Sequence, residues 1–93
     1  MTSKQRAELK SKSNKLEPVF QLGKNGITES FIRQTEKCIE ALELIKIKVL
    51  LDTSPVPPKE AAREIAEKTK SEVVQVIGGV IILYRYNPRL KKR

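Results

Sequence analysis

Residues 19–51 read VFQLGKNGITESFIRQTEKCIEALELIKIKVLL, a run that passes from strand to turn to helix to strand without a break. Pro18 opens a short apolar segment, Val19 to Leu22, and Gly23-Lys24-Asn25-Gly26 closes it. Thr28 is a good N-cap, and Ile27 with Ile32 hold the two positions of a hydrophobic staple. Phe31, Ile32, Thr35, Cys38, Ile39 and Leu42 then recur at helical spacing as one continuous face. Cys38 lies inside that stripe and reads as a core thiol, since apolar surroundings suppress the thiolate. From Leu44 to Leu51 the period changes. Ile45, Ile47 and Val49 point one way and Lys46 and Lys48 the other, as a half-covered strand requires. Strands joined through a helix pair in parallel, so this run predicts the centre of an α/β sheet.

Downstream, DTSPVPP is a loop, because three prolines in four positions continue neither helix nor strand. Pro58 to Lys70 follows as a helix, with Ala62, Ile65, Ala66 and Thr69 on one side and Pro58 suited to its first turn. Val73–Ile77 and Val80–Tyr86 flank Gly78-Gly79, the signature of a hairpin with a type I′ turn. That register sets Ile77 opposite Val80, Val76 opposite Ile81 and Val74 opposite Leu83. Val74, Val76, Ile81 and Leu83 would share one face; Val73, Gln75, Ile77, Val80, Ile82 and Tyr84 would share the other. Both faces are apolar enough to need cover, and the N-terminal segment is the candidate for the second. That segment, residues 3–16, reads as a helix with Ser3 as a cap and Leu9 and Leu16 on one side. The expected fold class is therefore α/β: one compact domain in αβαβαββ order, a four-stranded mixed sheet packed with three helices.

Ninety-three residues suffice for one domain, which buries about 60–65% of its unfolded surface. Charge is the outlier: 19 Lys+Arg against 11 Asp+Glu gives +8, with a pI near 9.8. Such a chain has a polyanion as its default partner. There is no histidine and Cys38 is the single cysteine, which removes triad-type nucleophiles and the usual zinc ligand sets. The glutamates of the second and third helices are scattered along helical faces; Arg33 and Lys37 beside Glu36 make ordinary surface pairing sufficient. No enzyme and no cofactor are expected: GKNG lacks the third glycine of a dinucleotide fingerprint and the ending of a P-loop. The charged N-terminus is not a signal peptide, and the run from Val76 to Tyr84 is too short to span a membrane. A cytoplasmic protein with no membrane partner is the expectation.

The basic residues suggest where a polyanion would lie. Lys24 sits in a tight loop that ends at a helix N-terminus, where free N–H groups favour anions. Gly23 and Gly26 permit close backbone approach. Both a plain turn and a phosphate cradle are open readings of these four residues. A cradle predicts that Gly26→Asp weakens anion binding and leaves thermal stability near wild type. Lys4, Arg6, Lys10, Lys12 and Lys15 on the first helix, with Lys46 and Lys48 on a strand, would extend the positive field. Aromatic platforms are few, with only Tyr84 and Tyr86 left outside the predicted core, so phosphate and shape recognition of structured RNA fits better than base stacking.

Three blocks, KQRAELKSKSNKLEPVFQLGKNGITES, ELIKIKVLL and EVVQVIGGVIILYR, resemble the CRM domain (chloroplast RNA splicing and ribosome maturation), most of all its stand-alone bacterial YhbY form. The likeness runs from Ser3 to Arg85. It implies a fold similar to the C-terminal domain of a bacterial translation initiation factor, and RNA binding, with bacterial members associated with large ribosomal subunit precursors. The family's Gly-x-x-Gly loop maps onto Gly23, Lys24, Asn25 and Gly26, its basic face onto Lys4, Arg6, Lys10 and Lys12, and its closing Tyr-Arg onto Tyr84 and Arg85. Helix one departs in carrying Ser11 and Ser13, which bears on its packing. The expectation is an RNA-binding domain at 1–86, monomeric, followed by a basic, mobile tail at 87–93. A duplex-DNA-binding chromatin-type protein and an adaptor for an acidic protein are the alternatives.

Overall fold

The computed structural model describes residues 2–91; Met1, Lys92 and Arg93 lie outside them, so the C-terminal tail is described only in part. Three helices, α1 (Ser3–Ser13), α2 (Glu29–Leu42) and α3 (Pro58–Thr69), alternate with β1 (Phe20–Leu22), β2 (Leu44–Val49), β3 (Glu72–Ile77) and β4 (Val80–Tyr84) in αβαβαββ order. The strands form one mixed sheet in the order β1-β2-β4-β3. β1 pairs in parallel with β2, Phe20 opposite Ile47, as the strand–helix–strand run requires; β4 is antiparallel to both β2 and β3. A 3-10 turn, Pro88–Lys91, follows β4.

One sheet face carries the main core. Leu22, Ile45, Ile47, Val49, Ile81 and Leu83 meet Phe31 and Ile39 of α2 and Ala61, Ala62 and Ile65 of α3. Thr35 and Thr69 are fully buried here, and each hydroxyl donates to the carbonyl one turn earlier, Phe31 O at 2.9 Å and Ile65 O at 2.7 Å. The other face is covered by α1 through Leu9, packed on Val74 and Ile82. The result is three layers, with α1 alone on one side. Ile27 and Ile32 both pack against the main core.

Several expectations change on tertiary contact. β3 slips by one residue between Val73 and Gln75, so Val73, not Val74, stands opposite Leu83. This bulge inverts the alternation, and the two valines exchange faces. Val73 joins the α2/α3 core while Val74 turns to Leu9. α1 is shorter than residues 3–16: Thr2, not Ser3, caps it, with Thr2 Oγ1 accepting from Gln5 N at 3.1 Å. It ends at Ser13, which is fully buried and donates to the Lys10 carbonyl at 2.7 Å; Leu16 lies beyond it on the surface. Leu42 continues the α2 stripe yet is 57% exposed, because the stripe runs past the end of the sheet at the terminal Leu44–Tyr84 pair. In the hairpin only Gly78 takes a positive φ, 54°, whereas type I′ needs it at both positions. Gly79 is required for another reason: a Cβ there would stand 2.8 Å from the Val49 carbonyl oxygen.

Candidate nucleic-acid interface

The GKNG segment is a β-turn closed by Gly26 N donating to Gly23 O at 3.0 Å, with Lys24 and Asn25 exposed at its tip. Gly26 is buried at φ 68°, and a Cβ would approach Pro55 Cγ to 3.1 Å. Its glycine is thus demanded by the fold. The expectation that Gly26→Asp would leave stability untouched is corrected on that ground. Gly23 differs: a Cβ there meets nothing nearer than Leu50 Cδ1 at 3.6 Å.

Directly behind the turn, α2 begins. Thr28 Oγ1 accepts from Phe31 N at 3.0 Å and the Thr28 carbonyl from Ile32 N at 3.1 Å. The N–H groups of Glu29 and Ser30 have no intrahelical acceptor and carry the positive end of the helix dipole. The Glu29 carboxylate opposes an anion there, but Arg33 holds it at 2.7 Å. A polar groove of about 200 Å³ runs from the turn along α2, with Gln21, Lys24, Asn25, Ser30 and Gln34 among its walls.

On α1, Lys4 and Lys12 are exposed and Lys10 is half-buried, and Lys15, just past the end of α1, is exposed. Lys46 and Lys48 alternate with the core residues of β2 and so point to the α1 side of the sheet. Gln21 is the register partner of Lys48, which carries this face across to β1 and the turn. Among the described residues the ion pairs are Glu29–Arg33, Glu64–Lys68 and Glu36–Arg85, all using carboxylates of α2 and α3. Lys4, Lys10, Lys12, Lys15, Lys24, Lys46 and Lys48 therefore have no carboxylate within 4.0 Å among the described residues.

Arg6 does not join that set. Its Nη1 donates to the Val73 and Val74 carbonyls at 2.9 and 2.8 Å, tying α1 to the bulge. Nor does Tyr84 offer a free stacking face, since it packs in the α1-side cluster with Leu44 and Val80. Burial raises its hydroxyl pKa above 10.0, with Glu43, Tyr86 and Glu72 adding to the shift. Phe20 and Phe31 stack edge to face at 5.0 Å, packed in the core. Tyr86 is left exposed.

Periodicity gave no sign of the C-terminal clasp. Arg85 Nη1 reaches Glu36 at 2.9 Å and the Thr69 carbonyl at 2.8 Å, joining the two core-side helices. Glu36 is thus paired with Arg85 rather than with Arg33 or Lys37. Asn87 N donates to Glu43 Oε2 and Asn87 Nδ2 to the Glu40 carbonyl, both at 2.7 Å, so the tail's first residue is fastened to α2. Among the described residues no three His, Cys, Asp or Glu side chains gather to hold a metal, and no helix is long and apolar enough to cross a membrane.

The family model of the CRS1/YhbY (CRM) domain matches residues 1–85. "Probable RNA-binding protein YqeI" of Bacillus subtilis is 36% identical over 92 residues, spanning 99% of this chain and 95% of that protein. A Haemophilus influenzae protein named "RNA-binding protein" is 34% identical over 91 residues, spanning 98% and 91%. The solution structure of the Staphylococcus aureus protein SAV1595 is similar with a TM-score of 0.76 and 42% identity, covering 94% of this chain and 90% of that one.

Proposed function

The chain belongs to the CRS1/YhbY (CRM) domain family, and from that premise we propose that it binds structured RNA and acts in assembly of the large ribosomal subunit. The observation that carries this reading is charge segregation. Six of the eleven carboxylates lie on α2 and α3, whereas α1, the segment after it, the turn and β2 together carry Lys4, Lys10, Lys12, Lys15, Lys24, Lys46 and Lys48 against Glu8 and Glu17. Lysines gathered with so few carboxylates neutralise phosphates and release counterions, which drives association.

In this reading residues 1–86 are the binding domain and 87–93 add basic charge. Lys4, Lys10, Lys12 and Lys15 lie against one stretch of backbone. Lys24, Asn25 and the first N–H groups of α2 grip another, Gly23 gives the backbone room and Gly26 holds the turn in shape. Arg6 serves by fixing α1 in place. Contacts of this kind read the shape of the A-form backbone rather than a base sequence. The ribosomal setting is what membership of the family implies.

Titration of the chain with a structured RNA and with duplex DNA of matched sequence, at equal salt, tests the reading. Tighter binding to RNA, with co-sedimentation on large-subunit precursors at low salt, is the expected result. Equal affinity for DNA favours the chromatin-type alternative, and binding to neither nucleic acid favours an acidic protein partner.

A further inference from the structure

Beside the turn, at the end of the sheet where β2 and the hairpin meet, a second groove of about 510 Å³ opens between Lys48, Leu51 and Val80, with Asp52 at its rim. Its walls are largely aliphatic, and Leu51 is 63% exposed. Gly79 forms part of the lining as bare backbone, since a Cβ there would lie 3.4 Å from Leu51 Cγ. The groove adjoins the GKNG turn: the Cβ position of Gly23 is 3.6 Å from Leu50 Cδ1 and 3.9 Å from Thr53 Oγ1, and both residues line the groove.

The geometry points to this groove as the seat of one unpaired nucleobase of the bound RNA, its own phosphate lying toward Lys48. The inference rests on the RNA-binding reading and adds to it a site for a base. Apolar side chains sandwich an extruded base as aromatic ones do, and the volume falls within the roughly 300–1,000 Å³ of small-ligand sites. Charge complementarity favours a nucleotide over an apolar peptide side chain. Lys48 supplies a cation without a carboxylate partner among the described residues, and Asp52 an acceptor for the N–H edge of guanine or the amino group of cytosine. A purely apolar occupant would desolvate both charges without pairing them.

Two measurements on the whole chain test this. Leu51→Ser, at an exposed position, is titrated with a stem-loop RNA carrying unpaired nucleotides and with a blunt RNA duplex of the same stem. The stem-loop should bind about five- to tenfold more weakly than to wild type, the duplex about twofold more weakly or less. Independently of any variant, the four nucleoside 5′-monophosphates are titrated into methyl-labelled protein. The Leu51, Val49 and Val80 methyl resonances should move, most with guanosine or cytidine. Equal loss on both RNAs, no loss on either, or unmoved methyls with RNA bound would overturn the inference. A wild-type chain that binds neither RNA would instead overturn the reading beneath it.

Discussion

Replacing Arg6 by methionine separates the scaffold from the binding surface. The substitution keeps most of the aliphatic stem and removes two hydrogen bonds, to the Val73 carbonyl at 2.9 Å and the Val74 carbonyl at 2.8 Å. Hydrogen bonds to a charged group contribute roughly 1.5–3 kcal/mol each. Both are made by one nitrogen of a half-buried side chain, and water replaces part of what is lost, so the pair is worth about 2 kcal/mol. In a domain of this size that lowers Tm by about 10 °C. Urea unfolding should show a lower midpoint at unchanged m, because the same surface is exposed on unfolding. RNA affinity, measured well below the variant's Tm, should change by about twofold or less, with an unaltered salt slope. Lys12→Ala should do the opposite, keeping stability within about 0.5 kcal/mol and reducing the slope by about 0.7–0.9. An Arg6→Met protein with wild-type stability and a reduced salt slope would refute the reasoning and return Arg6 to the RNA-binding face.

The two glycines of the turn should behave differently. Gly26→Asp is expected to cost about 1–2 kcal/mol in chemical denaturation, from the left-handed φ and the Pro55 contact, whereas Gly23→Ala should stay within about 0.5 kcal/mol. A stable Gly26→Asp protein would refute that assignment. Lys24→Ala should lower the magnitude of the salt slope by about 0.7–0.9, as one lost phosphate contact does, and an unaltered slope would leave Lys24 in bulk solvent. Tyr84 is held protonated by burial and by its acidic neighbours, with its folded pKa above the unfolded 10.0. The folded state then binds more protons than the unfolded one, so stability is fully present below pH 10 and falls as pH rises through the folded value. Tyr84→Phe should flatten that decline relative to wild type in unfolding curves measured from pH 9 upward.

The regular elements were legible because each is encoded locally. Thr28 caps α2 whatever lies beyond it, and Ile45, Ile47 and Val49 alternate because a covered strand needs them to. The turn between them was legible as a turn, though not as one in which Gly26 is bound to the fold and Gly23 is free of it. That distinction comes from Pro55, which lies twenty-nine residues away in sequence.

Charge separated in the same way. The sequence established an excess of lysine, a helix rich in it and a glycine-bracketed lysine ahead of a helix N-terminus. It gave no ground for removing Arg6 from that group, since an arginine among lysines differs only by what it meets. In the fold it meets the two carbonyls that the bulge turns toward α1. The bulge itself follows no local pattern, as Val73 and Val74 are alike and either can face the core. Arg85 and Asn87 fasten α2 from more than forty residues away, and Glu43 at φ 64° ends that helix while donating its N–H to the Ile39 carbonyl and accepting from Arg85 N and Asn87 N. Periodicity and composition thus determined the elements, their order and the sign of the partner. Long-range hydrogen bonding decided which basic groups stay on the surface, because a cation is free for phosphate only where no buried carbonyl or carboxylate has already taken it.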